Sequence, residues 1–321
     1  DQHPIMNDFH ITSLQFSLMS TTIFFVIYGL MQIPVGIIVD NIGLKKSLLI
    51  AAILCAASSL GFAYSYNYYF GIICRLFMGL GASFGFICLL ISVYDWMPHK
   101  YSAIFIGLSQ FIGTIGPMLA GGPMESISQT TNWRMVFTYL GIIGIILTFM
   151  ILFFVENNQQ KSGQYIILYK PEKIGVSIKR LFSRLQPWYI AVLSTGLYFT
   201  VEYLSENEGR SFLMLKGLSL DFASYMITVA WIGYGVGCPL LGLCSDLLER
   251  RKTILQISAL LGLISIIAVL YVNNKLCLIM AFFLLGISAS GQSIAFALVS
   301  EQFKKQFVAI GFGLNNAMIT T

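Results

Sequence analysis

Two ionisable side chains stand inside runs that are otherwise apolar: Arg75 in ICRLFMGLG and Glu202 in YFTVEYLSENEGR. A charge withdrawn from water is costly unless it is paired or used, so both are first candidates for function. Arg75 offers a guanidinium to an anionic group of a ligand. The competing reading is a structural arginine that holds helix-end carbonyls or reaches back to the interface. Glu202 is a carboxyl suited to loading and releasing protons. Glu202, Glu206 and Arg210 are spaced four apart, one face of a helix, so Glu206 with Arg210 reads as a gate ion pair. Alternatively these charges, with Glu208, lie in an extended loop beyond the apolar run. Uncharged groups of the same kind are Gln15, Tyr28, Gln32, Gln110, Tyr198, Gln292, Asn315 and Asn316. Each can orient a small polar ligand, or bond one helix to another.

Other chemistries lack their residues. There is no G-x-S-x-G, phosphate-binding loop, H-E-x-x-H or dinucleotide fingerprint, so no enzyme and no cofactor is expected. His3, His10 and His99 have no metal-like spacing. The six cysteines (Cys55, Cys74, Cys88, Cys238, Cys244, Cys277) sit in or beside apolar runs and read as reduced, buried thiols.

The elements that must position these groups follow from composition. Hydrophobic residues make up 57% of the chain and charged ones 10%, with a mean hydropathy of +0.79. A soluble domain carries about 25% charged residues, so lipid and not water must solvate this surface. A helix crosses the hydrocarbon with roughly 20 apolar residues. About nine such spans run near 14–39, 47–65, 67–94, 102–124, 135–155, 188–211, 221–245, 254–272 and 276–300, with a tenth from 306. Their apolar character is continuous and not alternating, which selects helices over a barrel. Lys and Arg cluster in alternate loops, placing 40–46, 95–101, 156–187, 247–253 and 301–305 in the cytoplasm and residues 1–13, a polar loop, outside. The net charge of +5 is therefore a topology signal and not a nucleic-acid footprint.

The chain also repeats itself. GIIVDNIGLKKS, from Gly36, and GLCSDLLERRK, from Gly242, both end an apolar run in an acid and a basic pair. Subtracting 36 from 242, or 40 from 246, gives 206. The same offset joins Lys45 to Arg251, Lys46 to Lys252, Ala103 to Ala309 and Gly107 to Gly313. A polar linker, 156–187, separates an N-terminal half, 1–155, from a C-terminal half, 188–321. Duplicated halves with a site between them are a common transporter plan. Asp40 faces the negative end of its own helix dipole, so it needs a partner, either another helix's N-terminus or a cation. Gly36 permits close helix approach, and Gly43 a tight reversal.

G-x-x-x-D-x-x-G-x-K-K at Gly36, Asp40, Gly43, Lys45 and Lys46 resembles the loop motif of the major facilitator superfamily. The second copy is Gly242, Asp246, Arg250, Arg251 and Lys252, with Glu249 where the glycine would fall. Arg75, Gly79 and Gly81 resemble the family's fourth-helix motif. Gly113, Gly116, Pro117, Gly121 and Gly122 resemble its fifth-helix glycine–proline motif with a departure of one residue, and Asn132-Trp133-Arg134 its outer loop before helix six. The resemblance implies an all-α polytopic fold of two pseudo-symmetric six-helix halves, the first visible span being helix two. It implies that each acid latches onto the start of a helix of the other half: Asp40 onto the span near 306, Asp246 onto the span near 102. MQIPVGIIVD is similar to bacterial metabolite:proton carriers. The expectation is a monomeric inner-membrane carrier of a small polar solute such as an amino acid or organic acid, moved by alternating access and coupled to protons. A proton-driven exporter and a transporter-like sensor are the alternatives. The chain starts without Met and stops in an apolar run, which points to a longer parent lacking here helix one, part of eleven and twelve.

Overall fold

A computed structural model describes residues 2–120, 132–156, 183–205, 208–302 and 305–320. Among them every regular element is a helix. A short α1 (Gln2–Phe9) precedes α2 (Ser13–Ile42), α3 (Leu44–Ala63), α4 (Tyr68–Trp96), α5 (Ser102–Gly113), α6 (Ile115–Ala120) and α7 (Trp133–Phe154). Then come α8 (Leu185–Ser205), α9 (Glu208–Leu215), α10 (Leu220–Leu248), α11 (Arg251–Tyr271), α12 (Lys275–Ala289), α13 (Gln292–Gln302) and α14 (Lys305–Thr320). Eight helical stretches of the described residues are long and apolar enough to cross a membrane; α14 adds a shorter apolar segment, Val308–Thr320. This is an all-α polytopic membrane protein.

The polar segment 1–13, expected as a loop, instead forms α1. Its isolated propensity is weak, but Phe9 packs on Phe62 and Trp133, and Asp8 accepts the Trp133 Nε1–H at 3.0 Å. Tertiary packing, not local preference, makes this helix. Gln15 closes a capping box with Thr12 at the start of α2, which spends it on local structure. Within the apolar run read as one span over 188–211, residues 206–207 lie outside the described residues. Helix α8 ends at Ser205 and α9 begins at Glu208, with Gly209 pressed against the Leu204 carbonyl.

The helices form two compact units: α1–α4, α7 and α14 in one, α5, α6 and α8–α13 in the other. Within each unit one seam is made by glycines on backbone. A Cβ at Gly36 would stand 2.7 Å from the Ala309 carbonyl oxygen, and one at Gly313 2.5 Å from that of Gln32. In the second unit the same test puts Gly242 2.6 Å from the Ala103 oxygen and Gly107 2.3 Å from that of Cys238. Adding 206 to 36, 309−206 = 103, and 32 + 206 = 238 maps one seam onto the other, contact for contact.

Two further features recur in both units, the first at repeat-related helix ends but with cations that are not repeat mates. The C-terminal carbonyls of α3 are held by Arg134, which donates to Ala63 O at 2.8 Å and Ser65 O at 2.7 Å. Those of α11 are held by Lys216, which donates to Val269, Leu270 and Val272. Both cations meet the negative end of a helix. After α2 and α10 the chain reverses through left-handed residues, Gly43 at φ 85° and Glu249 at φ 53°. Glutamate at that angle is strained where glycine is not. Glu249→Gly is therefore expected to stabilise the protein by about 0.5–1 kcal/mol, the strain relieved less the added freedom of the unfolded chain. Thermal unfolding in detergent reads this out, and an unchanged or lower midpoint would show that the surroundings already absorb the strain.

Candidate functional site

The second-unit loop assembles around Asp246, which is 2% exposed. Its Oδ2 accepts the Ile104 N–H at 2.8 Å, a donor that the first turn of α5 leaves without an intrahelical partner. The carboxylate thus meets the positive end of another helix. Arg251 donates to the other Asp246 oxygen, to Ser245 Oγ at 3.0 Å, and to Glu301 Oε1 at 2.6 Å. The planar guanidinium is what allows one side chain to hold two carboxylates and a hydroxyl. Arg250 is exposed and precedes α11.

The first-unit counterpart is unequal. Lys45 occupies the position of Arg251, and its ammonium donates to Leu152 O on α7 at 2.8 Å. Asp40 stands at the exposed end of α2, near enough to Asp95 for their charges to oppose, and Asp95 is the repeat mate of Glu301 (95 + 206). Lys46 is exposed. One turn before Asp40, Gly36 lies on Ala309 of α14; residues 303–304, just before that helix, are outside the described residues.

Above each loop lies a buried polar knot. In the first unit Asn316 Nδ2 donates to Gln32 Oε1 at 2.8 Å and to the Tyr28 hydroxyl at 3.3 Å, while Gln32 Nε2 donates to Tyr28 O at 3.1 Å. Asn315 is buried beside it on α14. In the second unit the Tyr234 hydroxyl lies 2.5 Å from the Gln110 amide oxygen and 2.8 Å from Gln292 Oε1. A phenol has one proton, so it donates to one glutamine and accepts from the other amide. Gln110, whose Nε2 meets no acceptor, is the amide that turns to donate. Tyr198 packs edge-on against Tyr234 and Trp231, with ring centroids 5.7 and 6.3 Å apart. Glu202 follows Tyr198 by one turn of α8, half-buried and close enough for its charge to be felt at Tyr234. The residue reading omitted Tyr234 and Trp231, although Tyr234 could be found as 28 + 206.

Arg75 meets an irregularity in α2. Over Leu18–Thr22 the helix widens by one residue per turn, and the Ser20 carbonyl accepts from Arg75 Nη2. Nη1 reaches Met78 Sδ at 3.5 Å, and the guanidinium lies 5.3 Å from the Phe24 ring centroid. The Nε is buried with no hydrogen-bond partner. Of the Glu202–Glu206–Arg210 face, Glu202 lies in the last turn of α8 and Arg210 in α9, while Glu206 lies outside the described residues. All six cysteines are free.

A helical, polytopic membrane protein with a duplicated acid–base loop is the class these features define. The chain belongs to the Major Facilitator Superfamily, whose family model matches residues 2–321. That is a family of transporters and not of enzymes. It is 22% identical over 257 residues to a hexuronate transporter of Bacillus subtilis (strain 168), covering 77% of this chain and 59% of that protein. It is 25% identical over 266 residues to the inner membrane metabolite transport protein YhjE of Escherichia coli (strain K12), covering 75% and 58%. The chain thus spans under two thirds of the length of these relatives. The fold matches the crystal structure of the transporter FucP in the outward conformation, with TM-score 0.73 at 15% identity, covering 99% of this chain and 83% of that one.

The unequal loops make a direct forecast. Asp246→Ala strips a half-buried guanidinium of one carboxylate and leaves the Ile104 N–H without its acceptor, so a loss of about 2–4 kcal/mol is expected. Asp40→Ala, at an exposed site, should cost clearly less. Denaturant unfolding of both variants compares them; equal losses would mean that the two loops carry the same load.

Proposed function

We propose that this chain forms most of a proton-coupled carrier for a small polar metabolite, an organic anion first, which works as a monomer in the bacterial inner membrane by alternating access. The observation that carries the reading is the pair of repeat-related seams and their loops, since two matched sets of contacts suit two halves that rock about a central site. The sidedness of Lys and Arg places those loops in the cytoplasm, where they act as latches. Arg75 is the anion-recognising group: its guanidinium keeps an uncommitted Nε–H beside aromatic rings. The similarity to a hexuronate transporter, whose substrate is an anionic sugar, supports the same class. Glu202 is the coupling carboxyl, set beside the Tyr198, Trp231 and Tyr234 cluster. Tyr28, Gln32, Gln110, Gln292 and Asn315 line or position the pathway, and Arg210 gates it with Glu206. The halves 1–155 and 188–321 move as bodies joined by 156–187.

Reconstitution in liposomes under an acid-outside gradient tests this with a panel of sugar acids, dicarboxylates and amino acids. Gradient-driven uptake of one carboxylate class is expected. Glu202→Gln should lower it more than tenfold while gradient-free exchange survives, on the order of the loss of an essential proton carrier. Uptake indifferent to both gradient and substitution would reject coupling through Glu202. Arg75→Lys should raise the KM for carboxylates and spare their neutral amides. If both rise together, Arg75 holds the Ser20 turn and not the substrate.

A further inference from the structure

Helices α2 and α4 meet along a face on which the two chains keep different counts. On α4 the contact positions are Tyr68, Gly71, Arg75 and Gly79, steps of three, four and four, one side of a regular helix. On α2 the first is Gln15, whose carbonyl accepts the Tyr68 hydroxyl at 3.2 Å. Next comes Met19, 0% exposed, whose sulfur a Cβ at Gly71 would meet at 3.0 Å. Then comes Phe24, whose carbonyl oxygen a Cβ at Gly79 would meet at 2.6 Å. The steps on α2 are four and then five. A regular helix would bring Ile23 round instead and carry Phe24 off Gly79. The five-residue step is the widened turn Leu18–Thr22, closed by the Ile23 N–H on the Leu18 carbonyl. Its extra residue keeps α2 seated on α4 to either side of Arg75.

The same turn supplies the arginine's acceptor. A regular turn aims the Ser20 carbonyl at the Phe24 N–H; the wider one lets it lean onto α4, where Arg75 Nη2 donates to it. Thr22 serves a second carbonyl of the stretch, donating to Ser17 O at 3.4 Å. The guanidinium is thus held on several sides, by Ser20 at Nη2, by Met78 Sδ at 3.5 Å from Nη1, and by the rings of Phe24 and Phe62 at 5.3 and 5.9 Å. Of its three nitrogens Nε alone has no partner, and it is buried. A buried donor without an acceptor lowers stability. An irregular turn that fixes the rest of the group and leaves this one N–H open therefore has the character of a prepared site.

We propose that the widened turn of α2 is the positioning element of the anion site: the Ser20 carbonyl and the Phe24 ring fix the plane of Arg75 so that its Nε–H meets an oxygen of a ligand carboxylate. The proposal rests on the reading of Arg75 as the anion-recognising group. Arg75 touches the ligand; Ser20 and Phe24 are positioning residues that act through it. The consequence is selectivity. A guanidinium held in one plane directs its N–H groups at a planar oxyanion, and a neutral amide, with a single uncharged acceptor oxygen, gains much less from the same edge.

The test is phenylglyoxal modification of Arg75 in the reconstituted full-length protein, followed by mass spectrometry with Arg134 and Arg251 as internal references. Thr21 is replaced by its α-hydroxy acid, which turns the Ser20–Thr21 link into an ester. The Ser20 carbonyl then accepts more weakly while every side chain stays. The same exchange at Val26 controls for the helix bond that an ester loses. Without solute, Arg75 should react about fivefold faster in the Thr21 ester, because Nη2 is less firmly held, and the references should not change. D-glucuronate should protect Arg75 of the unmodified protein, and its neutral amide should not. In the Thr21 ester the glucuronate concentration that protects should rise about fivefold. Phe24→Leu reaches the same loosening through a side chain and should shift protection in the same direction. Unchanged reactivity in the ester would overturn the proposal, since the carbonyl would not be holding the guanidinium. Faster reaction with unchanged protection would overturn it as well, leaving the turn a structural support alone. If glucuronate, dicarboxylates and amino acids all fail to protect the unmodified protein, the anion reading of Arg75 falls and its positioning falls with it. That failure is seen without any variant, so it is told apart from the other two.

Discussion

Helices in lipid are not pressed together by the hydrophobic effect, because the tails around them are as apolar as their own side chains. What holds this protein's seams is the distance at which backbone can meet backbone, and that distance is set by Gly36, Gly107, Gly242 and Gly313. Each would drive an added Cβ to within 2.7 Å or less of a carbonyl oxygen on the facing helix. Everything polar in the seams depends on this approach. Asp246 can accept the Ile104 N–H only because Gly242, one turn earlier, lets α5 lie against α10. Asn316 can reach Gln32 only because Gly313 sits on the Gln32 carbonyl itself.

Charge placement follows the same economy. Half-buried cations do not float free: Arg251 divides itself between two carboxylates, Arg134 and Lys216 sit on the carbonyl ends of α3 and α11, and Arg75 takes the carbonyl that a widened turn of α2 releases. In three of these cases the partner is backbone. A helix end or a widened turn is a fixed acceptor whose position does not depend on a flexible side chain, which suits a protein whose helices must keep their ends while they move.

The architecture was legible because lipid imposes a simple rule on sequence, long apolar runs and sided basic loops, and because the duplication is written at a constant offset. Gly, Asp and a basic residue recur 206 positions on, and the structure places the glycines, though not the acids or cations, in equivalent surroundings. Three things were not legible. The close approach of Gly209 to the Leu204 carbonyl leaves no mark in the residue pattern of that stretch. Helix α1 exists through Phe9, Asp8 and their contacts with residues more than fifty positions away. The acceptor of Arg75 is a main-chain oxygen made available by helix geometry, and no side chain announces it. Tyr234 is different in kind: its signal was present at 28 + 206, but it lay among apolar neighbours and carried no charge.

The two copies have diverged, and the differences bear on one another. At the reversal, Gly43 is relaxed where Glu249 is strained. At the loop, Lys45 donates to a carbonyl of α7 where Arg251 ties Asp246 to Glu301. At the knot, the Tyr28 hydroxyl accepts from Asn316, which also donates to Gln32, where the Tyr234 hydroxyl meets two glutamines. The strain at Glu249 sits three residues beyond Asp246 and two before Arg251, so the angle that costs energy also brings the guanidinium round to the buried acid. Relaxing that turn and weakening that loop are therefore linked choices. The second copy combines a strained turn with a strong ionic centre, the first a relaxed turn with a weak one. Two seams built on the same glycine contacts thus sit beside unequal loops, a carboxylate–guanidinium centre in one and a lysine–carbonyl bond in the other.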